Sequence, residues 1–199
     1  MGPFRQFENK KLQQLLDTAY DMFWKFGFTR VSIEELCQEA RVSKMTFYKH
    51  FKNKTELIRF LLYEMSEYSL KQYEDIMSED IPFVDKVRKS VQLKLKQTEN
   101  ISEAFFNDFQ KVNDPELNKV VQEQRVSNIK VVTDWYIKAQ KEGDVRQDIK
   151  PEFIIYFLNH MMEMVKDPNL LKMYKEPHDL IMELTNFFFY GLLPVDTRK

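Results

Sequence analysis

In the first thirty residues, apolar side chains recur at intervals of three and four, at Leu12, Leu15, Leu16, Ala19, Phe23 and Phe26. This spacing places them on one face of a helix. Gly27 follows, and glycine is the residue that most often ends a helix in the left-handed conformation. The pattern predicts an amphipathic first helix that ends at Gly27.

Two short helices are predicted next. Ser32 is followed three residues later by Glu35, which is the spacing of a capping box, so a helix is expected over 33–40. Val42 and Ser43 form a turn, and Ser43 caps a second helix that runs to Phe51. Two short capped helices separated by about three residues are typical of a helix-turn-helix.

The rest of the chain is predicted to be helical as well. Asn53 with Glu56 starts a long helix that runs to about residue 79, and Pro82 is the first breaker after it. Only 4 Gly and 7 Pro occur in 199 residues, which leaves little turn chemistry for a β-protein. The fold class is therefore all-α with about nine helices, the later ones over 83–98, 102–111, 114–141, from a start at 148–152 to a stop at Asp167-Pro168, and 178–193.

We expect two domains: a three-helix DNA-binding domain with a helix-turn-helix at 1–53, and a helical body at 54–199. Charge is distributed accordingly. Residues 1–60 hold 11 Lys and Arg against 7 Asp and Glu, whereas residues 61–199 hold 19 against 24. Residues 41–54 contain no acid. A basic surface confined to one end fits contact with nucleic acid.

Composition argues against several other classes. The mean hydropathy is −0.51 and no apolar run is long enough to span a bilayer, so no membrane association is expected. No apolar leader segment is visible and Cys37 is the single cysteine, which together favour a cytoplasmic protein.

Cys37 is interpreted as a small buried residue, with a redox-sensing thiol as the alternative. His50, His160 and His178 lack companions at ligand spacing, so neither a metal nor another cofactor is expected.

The second short helix has two predicted faces. Phe47 and Phe51 lie four residues apart and should pack inward, which leaves Lys44, Met45, Thr46, Tyr48, Lys49 and His50 facing outward. A cation, a hydroxyl, a phenol and an imidazole are side chains that contact phosphates and base edges. The alternatives are that Tyr48 belongs to the core and that His50 is an ordinary surface residue.

The segment 27–58, GFTRVSIEELCQEARVSKMTFYKHFKNKTELI, resembles the DNA-binding domain of the TetR family. The match covers about residues 8–62 and rests on Gly27, Ser32-Ile33, Glu35-Leu36, Ala40, Val42-Ser43, Thr46, Tyr48, His50-Phe51, Lys54 and Glu56-Leu57. Three positions depart from the family pattern. Arg41 stands where the turn often has Gly, Met45 stands where Gly is also frequent, and Cys37 replaces a usual Ala.

The resemblance implies roles for individual side chains. Tyr48 and His50 correspond to phosphate contacts, and Lys44 and Thr46 to positions that contact bases. Ser32 caps the first short helix near a phosphate, and Lys54 contacts the DNA backbone. The predicted DNA-binding set is Ser32, Ser43, Lys44, Met45, Thr46, Tyr48, Lys49, His50 and Lys54.

In the body, Met and aromatic side chains either fill the core or line a pocket for a hydrophobic or aromatic effector. By resemblance such a pocket would lie among helices four to eight. The candidate pocket residues are Phe105, Phe109, Trp135, Phe157 and Met161.

The apolar stripe of the last helix is either buried within the subunit or pairs with a second copy, and the resemblance favours a homodimer through the last two predicted helices. A ligand-responsive regulator, released from a palindromic operator in double-stranded DNA by an unknown small-molecule effector, is the resulting prediction. Repression is implied by the resemblance alone. The alternatives are an all-α enzyme, for which no catalytic motif is present, and a DNA-binding adaptor without a role in transcription.

Overall fold

The computed structural model describes residues 2–99, 101–111 and 114–194. All regular structure in these ranges is α-helical, which confirms the predicted class. The ten helices are α1 Lys10–Phe26, α2 Ile33–Glu39, α3 Lys44–His50, α4 Lys54–Ser78, α5 Phe83–Thr98, α6 Glu103–Lys111, α7 Pro115–Glu142, α8 Pro151–Met164, α9 Pro168–Leu171 and α10 Pro177–Leu192. No helix within the described ranges is both long and apolar enough to cross a membrane.

The helix starts follow from local capping. Asn9 accepts hydrogen bonds from the backbone of Lys11 and Leu12 at the start of α1. Oδ1 of Asn53 accepts from the backbone N–H of Glu56, 2.8 Å away, at the start of α4. Such caps satisfy N–H groups that have no partner inside the helix. They explain why the sequence placed the starts of α2, α3 and α4 within a residue, whereas α5, α8 and α10 begin without a side-chain cap.

Helix α9 was not predicted as a separate element. Asp167 and Pro168 were expected only to end the preceding helix, but they also start a new turn. The side chain of Asp167 accepts from the N–H of Asn169 (2.8 Å), and Pro168 occupies the first helical position. Proline is well suited to that position because its missing N–H is not needed there.

The chain divides into two compact units. The N-terminal unit comprises Met1–Ser69 and Asn100–Gln124, and the C-terminal unit comprises Leu70–Glu99 and Arg125–Lys199. Helices α4 and α7 each contribute to both units. The two units are defined by which residues pack together, and the functional boundary at residue 53 stays a prediction.

The core of the N-terminal unit is built from one side chain or more of each of its first four helices. Leu15 and Leu16 of α1, Leu36 of α2, Phe47 of α3 and Leu57 of α4 are fully buried. Burial of each such side chain contributes about 1.5–3 kcal/mol. These contacts fix the relative orientation of α2 and α3.

In the C-terminal unit, a cluster of buried side chains includes Tyr136, Ile154 and Phe188. The phenol of Tyr136 donates to the carbonyl of Ile149 (3.0 Å), and Nε2 of Gln140 donates to the carbonyls of Arg146 (2.9 Å) and Ile149 (2.8 Å). These bonds hold the α7–α8 connection against α7.

Candidate nucleic-acid interface

The N-terminus of α2 has the predicted capping box. The backbone N–H of Ser32 donates to the carboxylate of Glu35 (2.8 Å), the Ser32 hydroxyl donates to it as well (2.7 Å), and the Glu35 N–H donates to the Ser32 Oγ (3.1 Å). The backbone and hydroxyl bonds from Ser32 lower the pKa of Glu35. The capping box therefore fixes where α2 begins and presents its first turn at the surface.

The turn between α2 and α3 has a left-handed residue. Arg41 has φ 51°, and the N–H groups of Arg41 and Val42 donate to the carbonyls of Gln38 (3.1 Å) and Cys37 (2.9 Å). This pair of bonds is the Schellman motif, in which glycine is usual at the left-handed position. The turn thus keeps the geometry that glycine favours although it contains Arg.

Helix α3 packs through the two predicted phenylalanines. Phe47 and Phe51 are buried, their rings lie 5.9 Å apart, and the Phe51 ring lies 5.5 Å from that of Phe60 on α4. Ser43 caps the helix, because its Oγ accepts from the Thr46 N–H (3.0 Å) and lies 2.9 Å from the Thr46 hydroxyl. Together these contacts orient the helix about its own axis.

The remaining side chains of α3 differ in exposure. Met45 is 81% exposed and Tyr48 is 55% exposed, so the interpretation of Tyr48 as a core residue is wrong. Lys44 and Lys49 are also exposed, whereas Thr46 is half-buried. The outward face therefore combines two cations, a thioether and a phenol.

His50 does not face outward as fully as expected. The residue is half-buried at the last position of α3, and its Nε2 is enclosed without a hydrogen-bond partner among the described residues. Phe51 follows directly and its ring lies 6.4 Å from the imidazole, which accounts for part of the burial. The phosphate contact predicted for His50 stays a prediction.

Lys54 has intramolecular partners that the sequence did not suggest. Its Nζ donates to the carbonyls of Thr29 (3.0 Å) and Val31 (2.8 Å) in the α1–α2 loop. Partial burial lowers the pKa of this ammonium. Two of its three protons are thus directed at the protein, and a contact with the DNA backbone would use the third.

Two carboxylates near this surface also escaped the sequence analysis. Glu34 of α2 forms an ion pair with Lys44 of α3, and the hydrogen bond that Lys44 donates to Glu34 raises the pKa of Lys44. Asp108 of α6 accepts from the backbone N–H of Thr29 (2.7 Å). The first contact joins two helices and the second joins α6 to the α1–α2 loop, so no local sequence pattern could indicate them.

The predicted effector residues are divided between the two units. Phe105 and Phe109 belong to the core of the N-terminal unit, where the Phe105 ring lies 4.6 Å from that of Trp24. In the C-terminal unit, Phe157 and Met161 pack on the buried cluster, and Trp135 is half-buried with the Lys138 ammonium 4.7 Å from its ring. The effector role of all five stays a prediction.

The C-terminal unit contains a narrow cavity that the sequence analysis missed. Its volume is about 20 Å³, and it is lined by Tyr73, Met77, Phe83, Val87, Val132, Tyr136, Phe188, Phe189 and Leu192. Burial raises the pKa of Tyr73 well above its usual value. Helical periodicity identifies these residues as inward-facing but does not distinguish a cavity wall from a filled core.

Helices α8 and α10 leave large apolar side chains at the surface. Phe187 is 70% exposed, and the others are Phe153, Ile155, Tyr156, Met164 and Tyr190. Most monomeric proteins expose such residues singly, whereas a group of them indicates a contact surface. This group lies on the two helices that were predicted to form the dimer.

Cys37 is buried on α2, as expected from its place in the helical pattern, and burial raises the pKa of its thiol. A raised pKa disfavours the thiolate, which is the reactive form. Among the residues that the structure describes, no three His, Cys, Asp or Glu side chains are grouped as ligands for a metal ion would be.

Comparison with known proteins agrees with this geometry. The family model described as "Bacterial regulatory proteins, tetR family" matches residues 15–60, which span α2, α3 and parts of α1 and α4. The HTH-type transcriptional regulator YhgD of Bacillus subtilis is 24% identical over 147 residues, covering 72% of this chain and 73% of its own.

Solved structures share the fold across nearly the whole chain. The fatty acid degradation regulator FadR from Bacillus halodurans superposes with a TM-score of 0.71 at 16% identity, covering 94% of this chain and 98% of that one. FadR from Bacillus subtilis, in complex with stearoyl-CoA, gives 0.67 at 14% identity and covers 91% and 99%. The match of the helix-turn-helix to the family model, the regulator relatives and the shared all-helical fold together support a DNA-binding transcriptional regulator of the TetR family.

Proposed function

We propose that the protein is a repressor that binds a palindromic operator as a homodimer and leaves it when a small hydrophobic or aromatic effector binds. The observation that carries the DNA-binding step is the outward face of α3. Phe47 and Phe51 are buried, and they leave Lys44, Met45, Tyr48 and Lys49 exposed on a segment without acids. A helix presented in this way enters the major groove.

The position and side-chain type of each residue determine whether we assign it to a base or to a phosphate. Lys44, Met45 and Thr46 occupy the first turn of α3, from which helix-turn-helix proteins contact base edges. Tyr48, Lys49, His50, Lys54 and the two caps Ser32 and Ser43 contact phosphates, which position the protein but carry no sequence information. Met45 contributes an apolar contact that suits the methyl group of thymine.

Dimerisation supplies the second half-site. A two-turn helix contacts only a few base pairs, and two copies one helical turn apart recognise a palindrome. The exposed apolar group on α8 and α10 supports pairing of these helices with their symmetry mates.

The effector is proposed to be apolar because the C-terminal unit offers aromatic and aliphatic walls around its cavity. FadR from Bacillus subtilis has the same fold, and its structure contains stearoyl-CoA, a ligand with a long apolar chain. The cavity is too narrow for such a ligand as it stands, so binding requires the walls to separate. A ligand that binds the opened state more tightly than the operator-bound state lowers operator affinity. The decrease equals the difference between the ligand's binding free energies for the two states, commonly about 1–3 kcal/mol.

An electrophoretic shift with the DNA flanking the protein's own gene tests the proposal. We expect a discrete complex that survives competitor DNA, a palindromic footprint, and release by one class of apolar compound in a thermal-shift screen. Thr46→Ala should change the preference among operator variants, whereas the matched variant Lys49→Ala should weaken all of them equally. Binding that any competitor abolishes at every salt concentration would refute sequence-specific regulation.

A further inference from the structure

Glu34 is an acid that contacts the cationic outward face of α3. It lies in the first turn of α2 beside Glu35, but the two carboxylates have different partners. Glu35 accepts from Ser32 and closes the capping box, whereas Glu34 forms an ion pair with Nζ of Lys44, the first residue of α3. The pair therefore joins the exposed N-terminal turns of both helices of the helix-turn-helix.

The pair has little to contribute to stability. The Glu34 and Lys44 side chains are 71% and 53% exposed, and ion pairs between such side chains stabilise a fold weakly. Close to DNA, a carboxylate is repelled by the phosphates and cancels one favourable cation. The pair does, however, hold a hydrogen-bond acceptor, Glu34, next to a hydrogen-bond donor, Lys44.

Placed side by side, a carboxylate and an ammonium complement one base pair in particular. Guanine presents two acceptors in the major groove, O6 and N7, and lysine donates to them. The paired cytosine presents the N4 amino group, a donor that glutamate accepts. A G·C pair therefore satisfies both side chains, whereas the phosphates satisfy only the lysine.

We propose that Glu34 and Lys44 act together as a specificity pair that recognises one G·C base pair in each half-site. Lys44 donates to the guanine, and Glu34 accepts from the cytosine while it holds the ammonium away from the neighbouring phosphates. This inference rests on the proposed operator binding by α3. It adds a residue of α2 to the base contacts.

The test is selection of binding sites from a random duplex library by wild type, Glu34→Ala, Lys44→Ala and the double variant. We expect the wild-type consensus to contain an invariant G·C pair in each half-site. Glu34→Ala should reduce discrimination for that pair by about 5- to 150-fold, the range of one good base contact. The double variant should lose no more than the worse single variant, because both side chains recognise the same pair.

Binding to an unrelated duplex gives an independent readout. Without Glu34, Lys44 is free to neutralise a phosphate, so Glu34→Ala should bind non-specific DNA more tightly. The log–log salt slope should steepen by up to about 0.9. Glu39→Ala is the matched control, since it removes an exposed carboxylate from the last turn of the same helix and should leave the consensus unchanged.

Two failures can be told apart. If the wild type selects a palindrome and Glu34→Ala selects the same one with equal discrimination, the specificity pair is refuted and operator binding stands. An A·T pair at the position sensitive to Glu34, or additive losses in the double variant, would also refute it. If the wild type selects no sequence at all, the proposed function fails and the inference fails with it. Thermal unfolding of each variant verifies that it is folded.

Discussion

Arg41 occupies a backbone conformation that costs an L-residue with a side chain about 1–2 kcal/mol. Its φ of 51° lies in the left-handed region, at the position of a Schellman motif where glycine is usual. The protein therefore accepts strain between the two helices of its DNA-binding motif. The side chain adds a cation to the acid-free segment 41–54.

Replacement of Arg41 by Gly should consequently stabilise the fold and weaken DNA binding. We expect the free energy of unfolding to rise by about 0.5–1.5 kcal/mol, because the strain is relieved but the unfolded chain gains freedom. Chemical denaturation measures the first effect and the salt dependence of DNA binding the second. Arg41→Lys, which keeps both the charge and the strain, is the control; if it stabilises the protein as much as glycine, strain is not the cause.

Lys54→Ala should affect both stability and DNA binding. Removal of the ammonium leaves the carbonyls of Thr29 and Val31 without this donor, and we expect a loss of about 1–2 kcal/mol. If the third proton contacts a phosphate, the salt slope of DNA binding should also fall by about 0.9. Lys49→Ala, an exposed cation on α3, should change the slope but not the denaturation midpoint. An unchanged midpoint for Lys54→Ala would contradict the structural role.

At the level of elements, helix α6 holds the loop between α1 and α2. Gly27 has φ 77° and ψ 159°, a combination reserved almost entirely for glycine, and a Cβ there would lie 2.5 Å from Oδ2 of Asp108. The same Oδ2 accepts from the N–H of Thr29, and the rings of Trp24 of α1 and Phe105 of α6 lie 4.6 Å apart. The α1–α2 loop, α1 and α6 therefore pack directly against one another.

Gly27→Ala should destabilise the protein by about 1–3 kcal/mol from backbone strain, with the clash in addition. Asp108→Ala removes one exposed hydrogen bond and should cost about 0.5–1.5 kcal/mol. In the double variant the clash with Asp108 is absent, whereas the strain and the close approach to the Ala104 backbone remain, so the combined loss should be smaller than the sum. Strict additivity in a double-mutant cycle would show that the Asp108 carboxylate does not restrict this loop.

The elements illustrate what the sequence can and cannot predict. Helix α1 and the starts of α2, α3 and α4 were predictable because caps and amphipathic spacing are local properties of the chain. The second start at Asp167 was missed because its residues also read as a stop. The pairing of Glu34 with Lys44 and the placement of Phe105 in the N-terminal core depend on contacts between distant residues, which periodicity does not encode.

For the whole molecule, the proposed dimer depends on the surface of α8 and α10. Phe187→Glu replaces the most exposed large apolar side chain of α8 and α10 with a carboxylate, and a buried unpaired carboxylate is costly in an interface. We expect the dimer to dissociate at micromolar concentration in sedimentation experiments, and operator affinity to fall because half-sites are then bound independently. Met173→Glu, an equally exposed position outside both helices, should remain dimeric. A Phe187→Glu dimer as tight as wild type would exclude this face.

The N-terminal unit draws its residues from two stretches of chain that are separated by α5. Phe105 and Leu117 from the second stretch are buried against the core formed by the first. A chimeric regulator made by joining residues 1–53 or 1–69 to another body would therefore leave Trp24 and Phe28 without the Phe105 ring that covers them. A chimera that is to keep this DNA-binding surface must therefore include α6 and the start of α7 together with residues 1–69. The alternative is to substitute only the exposed residues of α2 and α3 in another regulator.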